Sequence, residues 1–183
     1  MGVAGNTSSA MTIRPILTAP DKRLKLRSNP VDKVDEEIRT LLEDMLETMY
    51  QGDGLGLAAI QVGVPKRAIV VDVHAPDDPP TPMKLVNPEI LWFSSERMLY
   101  EEGCLSFPDF FADVERATEV RVRYLDENGA AQEIEAAETL AVCLQHEVDH
   151  LDGKLFVDHL SLVKRGIILR KMAKARRAQA QDA

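Results

Sequence analysis

The side chains best suited to chemistry in this chain are two histidines with a glutamate directly after the first. They form the pattern His146-Glu147-Val148-Asp149-His150. Residues four apart on an α-helix share one face, so both imidazoles can bind one metal ion. Glu147 then faces whatever the metal holds. Two imidazole ligands beside a general acid/base carboxylate are the parts needed for metal-assisted hydrolysis of an amide.

A hydrolytic metal site takes three protein ligands and keeps one position open, so the histidines need a partner. Asp158 and His159 are open candidates, as in a conventional zinc peptidase. Cys143 shares the histidine face, but it lies about 10.5 Å from His150 along a helix that rises 1.5 Å per residue. A cysteine side chain is too short for that distance. We therefore expect Cys143 to pack in the core, as buried free cysteines usually do.

Cys104 is the other cysteine, and it follows a strand candidate within the segment 102–106, EGCLS. The preceding Gly103 allows another part of the backbone to approach closely. Taken alone, such a cysteine is more often structural than metal-binding. Its context in the chain decides between the two roles.

The apolar periodicity predicts a helix from about residue 35 to residue 50. Asp35 is expected to cap it, with acidic residues in the first turn. Three glycines within residues 52–56 end this helix. The apolar positions that recur every three or four residues are Val34, Ile38, Leu41, Leu42, Met45, Leu46 and Met49.

The rest of the chain predicts short strands followed by two helices. Strands are expected at 68–73, 84–86, 90–93 and 98–101, a surface loop at the proline-rich 74–82, and a hairpin joining 120–124 to 132–136 through Asn128-Gly129. A helix over 137–151 carries the two histidines. Ser161 caps a last helix, whose apolar stripe comprises Val163, Ile167 and Leu169 to Met172.

This order predicts an α+β fold, in which small antiparallel or mixed sheets pack around a central metal-binding helix and a C-terminal helix follows. The chain has 183 residues, 45% of them hydrophobic, which suits one domain. We expect residues 1–10 to be a disordered extension and residues 11–183 to be a single catalytic domain. No apolar run approaches the roughly 20 residues of a membrane span, and no secretory signal is evident, which favours a cytoplasmic location and no membrane partner.

Charge is unevenly distributed along the chain. The whole sequence has a net charge of −8, yet residues 164–183 carry seven basic side chains and one acidic one. A basic terminal helix can contact RNA or another anionic surface, although a solvated helix face is the commoner meaning. We expect no DNA partner.

Three segments together resemble the signature motifs of the peptide deformylase family. They are 54–61 (GLGLAAIQ), 102–106 (EGCLS) and 145–153 (QHEVDHLDG), in this order and at this spacing. The similarity extends from about Pro15 to the terminal helix. It implies removal of the formyl group from N-formylmethionine at the start of nascent polypeptides, with release of formate.

The resemblance also implies a metal-ligand set and a mechanism. One divalent metal ion is held by Cys104, His146 and His150. Fe²⁺ is expected in vivo, and Zn²⁺, Ni²⁺ or Co²⁺ can occupy the purified protein. Metal-bound water is the nucleophile, and Glu147 takes its proton and passes it to the departing amine.

Further roles follow from the same resemblance. Gln61 and the main-chain N–H of Leu105 stabilise the oxyanion, while Leu55 and Gly56 offer extended backbone to a peptide. The substrate pocket is expected to comprise Gly103, Phe111, Val142, Cys143 and His146. Glu138 and Thr139 stand where members commonly have Gly and Leu, and Phe111 stands where Arg or Tyr is often found.

Two other functions are compatible with the residue pattern. A zinc endopeptidase would use Asp158 or His159 as its third ligand and would cleave unformylated peptides. A non-catalytic zinc and RNA-binding module would have four protein ligands and would not need Glu147. Family members with a terminal helix can dock it on the ribosome, so the ribosome is a possible partner of this chain through its basic C-terminal helix.

Overall fold

The computed structural model describes residues 11–183, and the predicted disorder of residues 1–10 lies outside this range. None of the helices within it is long and apolar enough to cross a membrane. Short 3₁₀ turns occur at 22–25, 59–62 and 156–159. The main elements in chain order are α1 Glu36–Gln51, β1 Gly56–Ala58, β2 Ala68–Val71, β3 Met83–Phe93, β4 Arg97–Cys104, β5 Phe107–Ala117, β6 Glu119–Leu125, β7 Ala131–Ala137, α2 Glu138–Leu151 and α3 Leu162–Gln181.

The strands form two antiparallel sheets, which confirms the α+β class. The larger sheet has the order β1-β2-β3-β6-β7, and β4 pairs with β5 in a separate hairpin. The predicted hairpin around Asn128-Gly129 is β6–β7, with Glu119 opposite Ala137. β1 is an edge strand, so one side of its backbone is left free of sheet pairing.

Strand β2 explains how the two helices are placed on the larger sheet. All four of its residues are buried because successive side chains point to opposite faces and both faces are covered. Ala68 and Val70 pack in the cluster formed with α1, which includes Met45. Ile69 and Val71 pack in the cluster that contains Leu144 and Val148 of α2. The sheet therefore separates α1 from the histidine-bearing helix.

Several predicted elements have different bounds in the structure. The helix predicted at 35–50 is α1, and the Asp35 carboxylate accepts a hydrogen bond from Ile38 N at 3.1 Å. The strand predicted at 68–73 ends at Val71. The strands predicted at 84–86 and 90–93 are one strand, β3, with a register shift between Val86 and Glu89. Pro88 lies at this shift, where it has no N–H to donate to a neighbouring strand.

Strand β5 was not predicted, because Pro108 and Asp109 interrupt its apolar pattern. It is held by pairing with β4, in which Gly103 lies opposite Phe111.

The C-terminal helix α3 begins as predicted, and its buried side matches the predicted stripe in part, at Met172 and half-buried Leu169. Ser161 Oγ accepts a hydrogen bond from Lys164 N at 3.3 Å. Val163 and Ile167 are 71% and 40% exposed, whereas Ile168 and Met172 are buried. Ile168 and Met172 are four residues apart and share a helix face, and this face packs in the cluster around Phe156.

Glu138, the first residue of α2, has a left-handed backbone conformation with φ of 52°. This conformation costs an L-residue about 1 to 2 kcal/mol, whereas glycine adopts it readily. We expect Glu138→Gly to raise the free energy of unfolding by about 0.5 to 1 kcal/mol, measured by urea denaturation. Ala137→Gly is the matched control, because Ala137 has an ordinary φ of −128°. Ala137→Gly should lower the free energy of unfolding by a similar amount. A lower free energy of unfolding in Glu138→Gly would contradict the argument that the Glu138 backbone is strained.

Candidate metal centre

The fold brings Cys104, His146 and His150 together. Their ligand atoms all lie within 4.8 Å of one another. His150 Nε2 is 3.2 Å from His146 Nε2 and 3.4 Å from Cys104 Sγ. Tetrahedral coordination at ordinary metal–nitrogen and metal–sulfur lengths separates such ligands by roughly 3.3 to 3.6 Å. The spacing of the three side chains therefore fits one divalent metal ion.

Two separate elements supply these ligands. His146 and His150 lie one turn apart on α2 and are both buried. Cys104 is the last residue of β4, and the register of the β4–β5 hairpin shifts between Gly103 and Cys104. Such a shift changes the direction of the side chains that follow it. The end of the hairpin thus turns the thiol toward α2.

Buried charges around the ligands hold His146 in position. His146 Nδ1 donates to Glu102 Oε2 at 2.9 Å, and the Arg116 guanidinium donates to both oxygens of Glu102. Arg116 also donates to Asp149 at 2.7 Å. Burial raises the pKa of Glu102, but the hydrogen bonds from His146 and Arg116 outweigh it and lower that pKa overall. The carboxylate stays ionised and fixes the ring through Nδ1, leaving Nε2 toward the thiol.

The electrostatics of the site favour a cation among the three ligands. Burial lowers the pKa of His146, but its contacts with Cys104 and Glu102 outweigh burial and raise that pKa well above the usual value. Burial keeps the pKa of His150 well below the usual value. A positive charge is thus stabilised beside Cys104 and Glu102, and a metal ion can supply it as well as a proton.

The other sequence candidates for the third ligand lie elsewhere. Asp158 accepts hydrogen bonds from Lys25 Nζ at 2.5 Å and Leu155 N at 2.8 Å. His159 Nε2 donates to Asp149 at 2.8 Å. Cys143 is buried and stays outside the ligand group, with its sulfur 3.5 Å from Leu55 O. Burial raises the pKa of its thiol well above the usual value.

Glu147 lies beside the ligand group in a nearly closed environment. It is 4% exposed, and its Oε2 has no hydrogen-bond partner among the described residues. Burial raises its pKa from 4.5 to about 7. A Cβ atom on Gly56 would lie 2.6 Å from Glu147 Oε1, so only glycine leaves room for this carboxyl. A carboxyl with a pKa near neutrality can both accept and release a proton.

Gln61 is held rigidly at the metal group. Its Oε1 accepts from Ala58 N at 2.9 Å, and its Nε2 donates to Ser106 Oγ at 3.0 Å. Nε2 also lies 3.5 Å from Cys104 Sγ. Leu105 borders the same space, where its side chain packs against the turn at Gly54. Both residues predicted to stabilise an oxyanion therefore lie beside the metal group.

A cavity of about 760 Å³ opens onto the ligand group. Cys104, His146 and Glu147 contribute to its floor, and Thr139 also reaches it. Phe111 is 65% exposed at the cavity, whereas Phe110 is half-buried and packs against the core cluster that contains Phe107. The cavity is lined by all the residues predicted to bind substrate, namely Leu55, Gly56, Gly103, Phe111, Val142, Cys143 and His146.

Sequence reasoning assigned no role to three residues that support the metal group. Glu102 falls within the 102–106 motif, so its position could have suggested a role. Arg116 lies on the unpredicted strand β5, and no local pattern distinguishes it from other arginines. Asp149 lies between the histidines, but its partner Arg116 becomes visible only in the folded chain.

A Cys-His-His group beside a buried glutamate, on an α+β scaffold with an adjoining cavity, defines a metal-binding hydrolase. Residues 13–166 match the family model described as polypeptide deformylase. The chain belongs to the polypeptide deformylase family and is an enzyme with peptide deformylase activity.

Curated and solved relatives agree with this assignment. The peptide deformylase of Bartonella tribocorum is 51% identical over 176 residues, covering 94% of this chain and 99% of that protein. The crystal structure of the Ehrlichia chaffeensis enzyme superposes with a TM-score of 0.88 at 44% identity, covering 92% of this chain and 99% of that one. The Acinetobacter baumannii enzyme with Met-Ala-Ser bound has a TM-score of 0.77 at 40% identity, covering 82% and 99%.

The raised pKa of Glu147 predicts a pH-dependent stability difference in metal-free protein. Its folded pKa of about 7 lies above its ordinary value of 4.5, so its contribution is fully present below about pH 4.5 and is lost as the pH rises through 7. Glutamine cannot ionise. Between pH 5 and pH 8, the free energy of unfolding of Glu147→Gln should rise relative to that of wild type by on the order of 2 to 3 kcal/mol. Urea unfolding in the presence of a chelator measures this difference.

The exposed Glu96 provides the control for this measurement. Glu96→Gln should differ from wild type by the same amount at both pH values. An equal difference at both pH values for Glu147→Gln would show that the buried carboxyl does not ionise in this range.

Proposed function

We propose that residues 11–183 form one catalytic domain that hydrolyses the formamide bond of N-formylmethionyl nascent peptides, with Glu147 as general acid and base. The observation that carries this proposal is the buried Glu147, whose Oε2 has no hydrogen-bond partner among residues 11–183. It lies beside three ligand side chains and lines the adjoining cavity. Nascent chains supply the substrate, so we place the enzyme in the cytoplasm.

Cys104, His146 and His150 would hold the divalent metal ion. A thiolate with two imidazoles suits several first-row metals, and Fe²⁺ is our proposal for the ion in the cell. When bound, the metal supplies Lewis-acid polarisation and makes water nucleophilic near neutral pH. The ionised Glu102 keeps His146 oriented with Nε2 toward the other two ligand side chains.

The protein groups around the metal account for the remaining steps. Glu147, with its pKa near 7, takes a proton from water and returns it to the departing amine. Gln61 Nε2 and the main-chain N–H of Leu105 donate to the developing oxyanion. Loss of one such donor typically costs about 3 to 4 kcal/mol of barrier. Gln61 is well suited, because its Oε1 is already bonded to Ala58 N and its amide cannot turn freely.

The peptide would lie along the free edge of the larger sheet. Leu55 precedes β1 and Gly56 is its first residue. The backbone of this edge strand is unpaired on one side and can bind an extended peptide as an added strand. Gly103, Phe111, Val142 and Cys143 would surround the methionine side chain. The Acinetobacter baumannii relative has a crystal structure with Met-Ala-Ser bound, which supports a peptide as the ligand.

Formate release from formyl-Met-Ala-Ser by anaerobically purified protein, with metal content measured on the same sample, tests this function. Glu147→Ala should keep the metal and lose at least about 100-fold in kcat, because its proton transfers are removed. Cys104→Ser should lose the metal and the activity together. Cys143→Ser is the control for a cysteine substitution beside the metal and should retain the metal.

Other outcomes would support the two alternative functions. Cleavage of unformylated internal peptide bonds, with metal retained in Cys104→Ser, would favour a zinc endopeptidase. Full function of Glu147→Ala would favour a non-catalytic metal site. In the structure, neither Asp158 nor His159 belongs to the ligand group, which argues against the endopeptidase.

We also propose that α3 docks on ribosomal RNA. Its basic side chains Lys171, Lys174, Arg176 and Arg177 are exposed, whereas Ile168 and Met172 attach the helix to the core. A basic helix fixed at one side can present its charges to phosphates without unfolding.

Ribosome binding at several salt concentrations tests the docking proposal. The logarithm of the affinity falls linearly with the logarithm of the salt concentration, and each lost phosphate contact makes this slope shallower by roughly 0.7 to 0.9. Arg176→Gln/Arg177→Gln should therefore reduce the magnitude of the slope by about 1 to 2. The control Lys33→Gln/Lys66→Gln removes the same charge elsewhere on the surface and should leave the slope unchanged. Equal slopes for both double variants would contradict docking through α3.

A further inference from the structure

Asp72 lies directly after β2 and outside the metal group. Three segments of the chain converge on its buried carboxylate. Its side chain is 1% exposed. It accepts hydrogen bonds from the Tyr50 hydroxyl, from Thr81 N at 3.0 Å and from His74 Nδ1 at 2.7 Å. We infer that Asp72 is a positioning residue, which sets one wall of the substrate cavity without touching the substrate. This inference rests on the proposed function.

The wall in question is the glycine turn that connects α1 to β1. Tyr50 lies at the end of α1, and its hydroxyl is bound by the Asp72 carboxylate. Leu55 lies at the other end of the turn, and its carbonyl accepts from Asp72 N at 2.9 Å. Both ends of the turn are therefore attached to one residue. The turn residues Gly52, Asp53, Gly54 and Leu55 all line the cavity.

The chemistry of this position suits a carboxylate. An ionised carboxylate only accepts hydrogen bonds, so it can satisfy a hydroxyl, an amide and an imidazole N–H at the same time. Burial raises the pKa of Asp72, but the hydrogen bonds from Tyr50 and His74 outweigh it and lower that pKa. An asparagine would present two N–H groups to these donors and lose part of the network.

The proline-rich loop is attached to the same carboxylate. His74 and Thr81 lie at the two ends of this segment, and both donate to Asp72 Oδ1. The loop contains four prolines, which exclude the regular main-chain hydrogen bonds of a β-sheet. The hydrogen bonds to the Asp72 side chain hold the loop instead.

Movement of the turn would affect peptide binding more than the metal. Leu55 and Gly56 are the backbone positions proposed to bind the peptide, and Asp72 has no contact with Cys104, His146 or His150 among the described hydrogen bonds. A looser turn should therefore weaken the binding of residues after methionine and leave the rate at saturation nearly unchanged.

Tyr50→Phe and Asp72→Asn test the inference with two substrates. Formyl-Met-Ala-Ser reaches past the methionine, whereas formylmethioninamide does not. For Tyr50→Phe we expect KM for the tripeptide to rise at least about fivefold, with kcat and the KM for formylmethioninamide within about twofold of wild type. Asp72→Asn should show the same pattern with a larger rise. Metal content should be unchanged in both variants.

Tyr124→Phe is the matched control, because Tyr124 is a half-buried tyrosine on β6, far from the turn in sequence. It should leave both KM values unchanged. The positioning role would be overturned if Tyr50→Phe left the tripeptide KM unchanged or changed the KM of both substrates equally. Formate release by the wild type would still uphold the proposed function in that case. Absence of formate release by wild type would instead contradict the proposed function, and this inference with it.

Discussion

The hydrogen bond from His146 Nδ1 to Glu102 joins helix α2 to the β4–β5 hairpin, and the metal group lies where these two elements meet. Burying the charged Glu102 carboxylate costs free energy, because the carboxylate loses its hydration. Arg116 offsets this cost through an ion pair with two hydrogen bonds. Removing one partner of such a buried pair typically costs about 3 to 5 kcal/mol. The geometry of the ligands thus depends on an ion pair that does not itself bind the metal.

The cavity depends on close approach between elements as much as on charge. At Gly56 the backbone passes so near α2 that a Cβ would contact both Glu147 and Cys143 at less than 3 Å. At Gly103 a Cβ would lie 2.5 Å from the Phe111 ring. These two glycines let edge strand β1 and the hairpin line one cavity beside the metal group.

Local patterns predicted the elements with strong periodicity. The helix from Asp35, the histidine-bearing helix and the Asn128-Gly129 hairpin were all expected, since each is specified by neighbouring residues. The pattern failed where pairing with a distant segment decides the structure. Strand β5 is held by pairing with β4, and the two strands predicted on either side of Pro88 are one strand, β3, with a register shift. Apolar residues of α3 lie on more than one side of the helix, and the surface it meets decides that Ile168 and Met172 are buried.

The sequence by itself determined that His146 and His150 share a helix face with Glu147, because four-residue spacing on a helix is a local property. It also contained the motifs whose resemblance to a family pointed to Cys104, while residue spacing left Asp158 and His159 open. Tertiary structure alone decided which of these side chains meets the histidines, and it placed Arg116 and Asp72. Such contacts join residues far apart in the chain, and their distances are set by packing that no local pattern encodes.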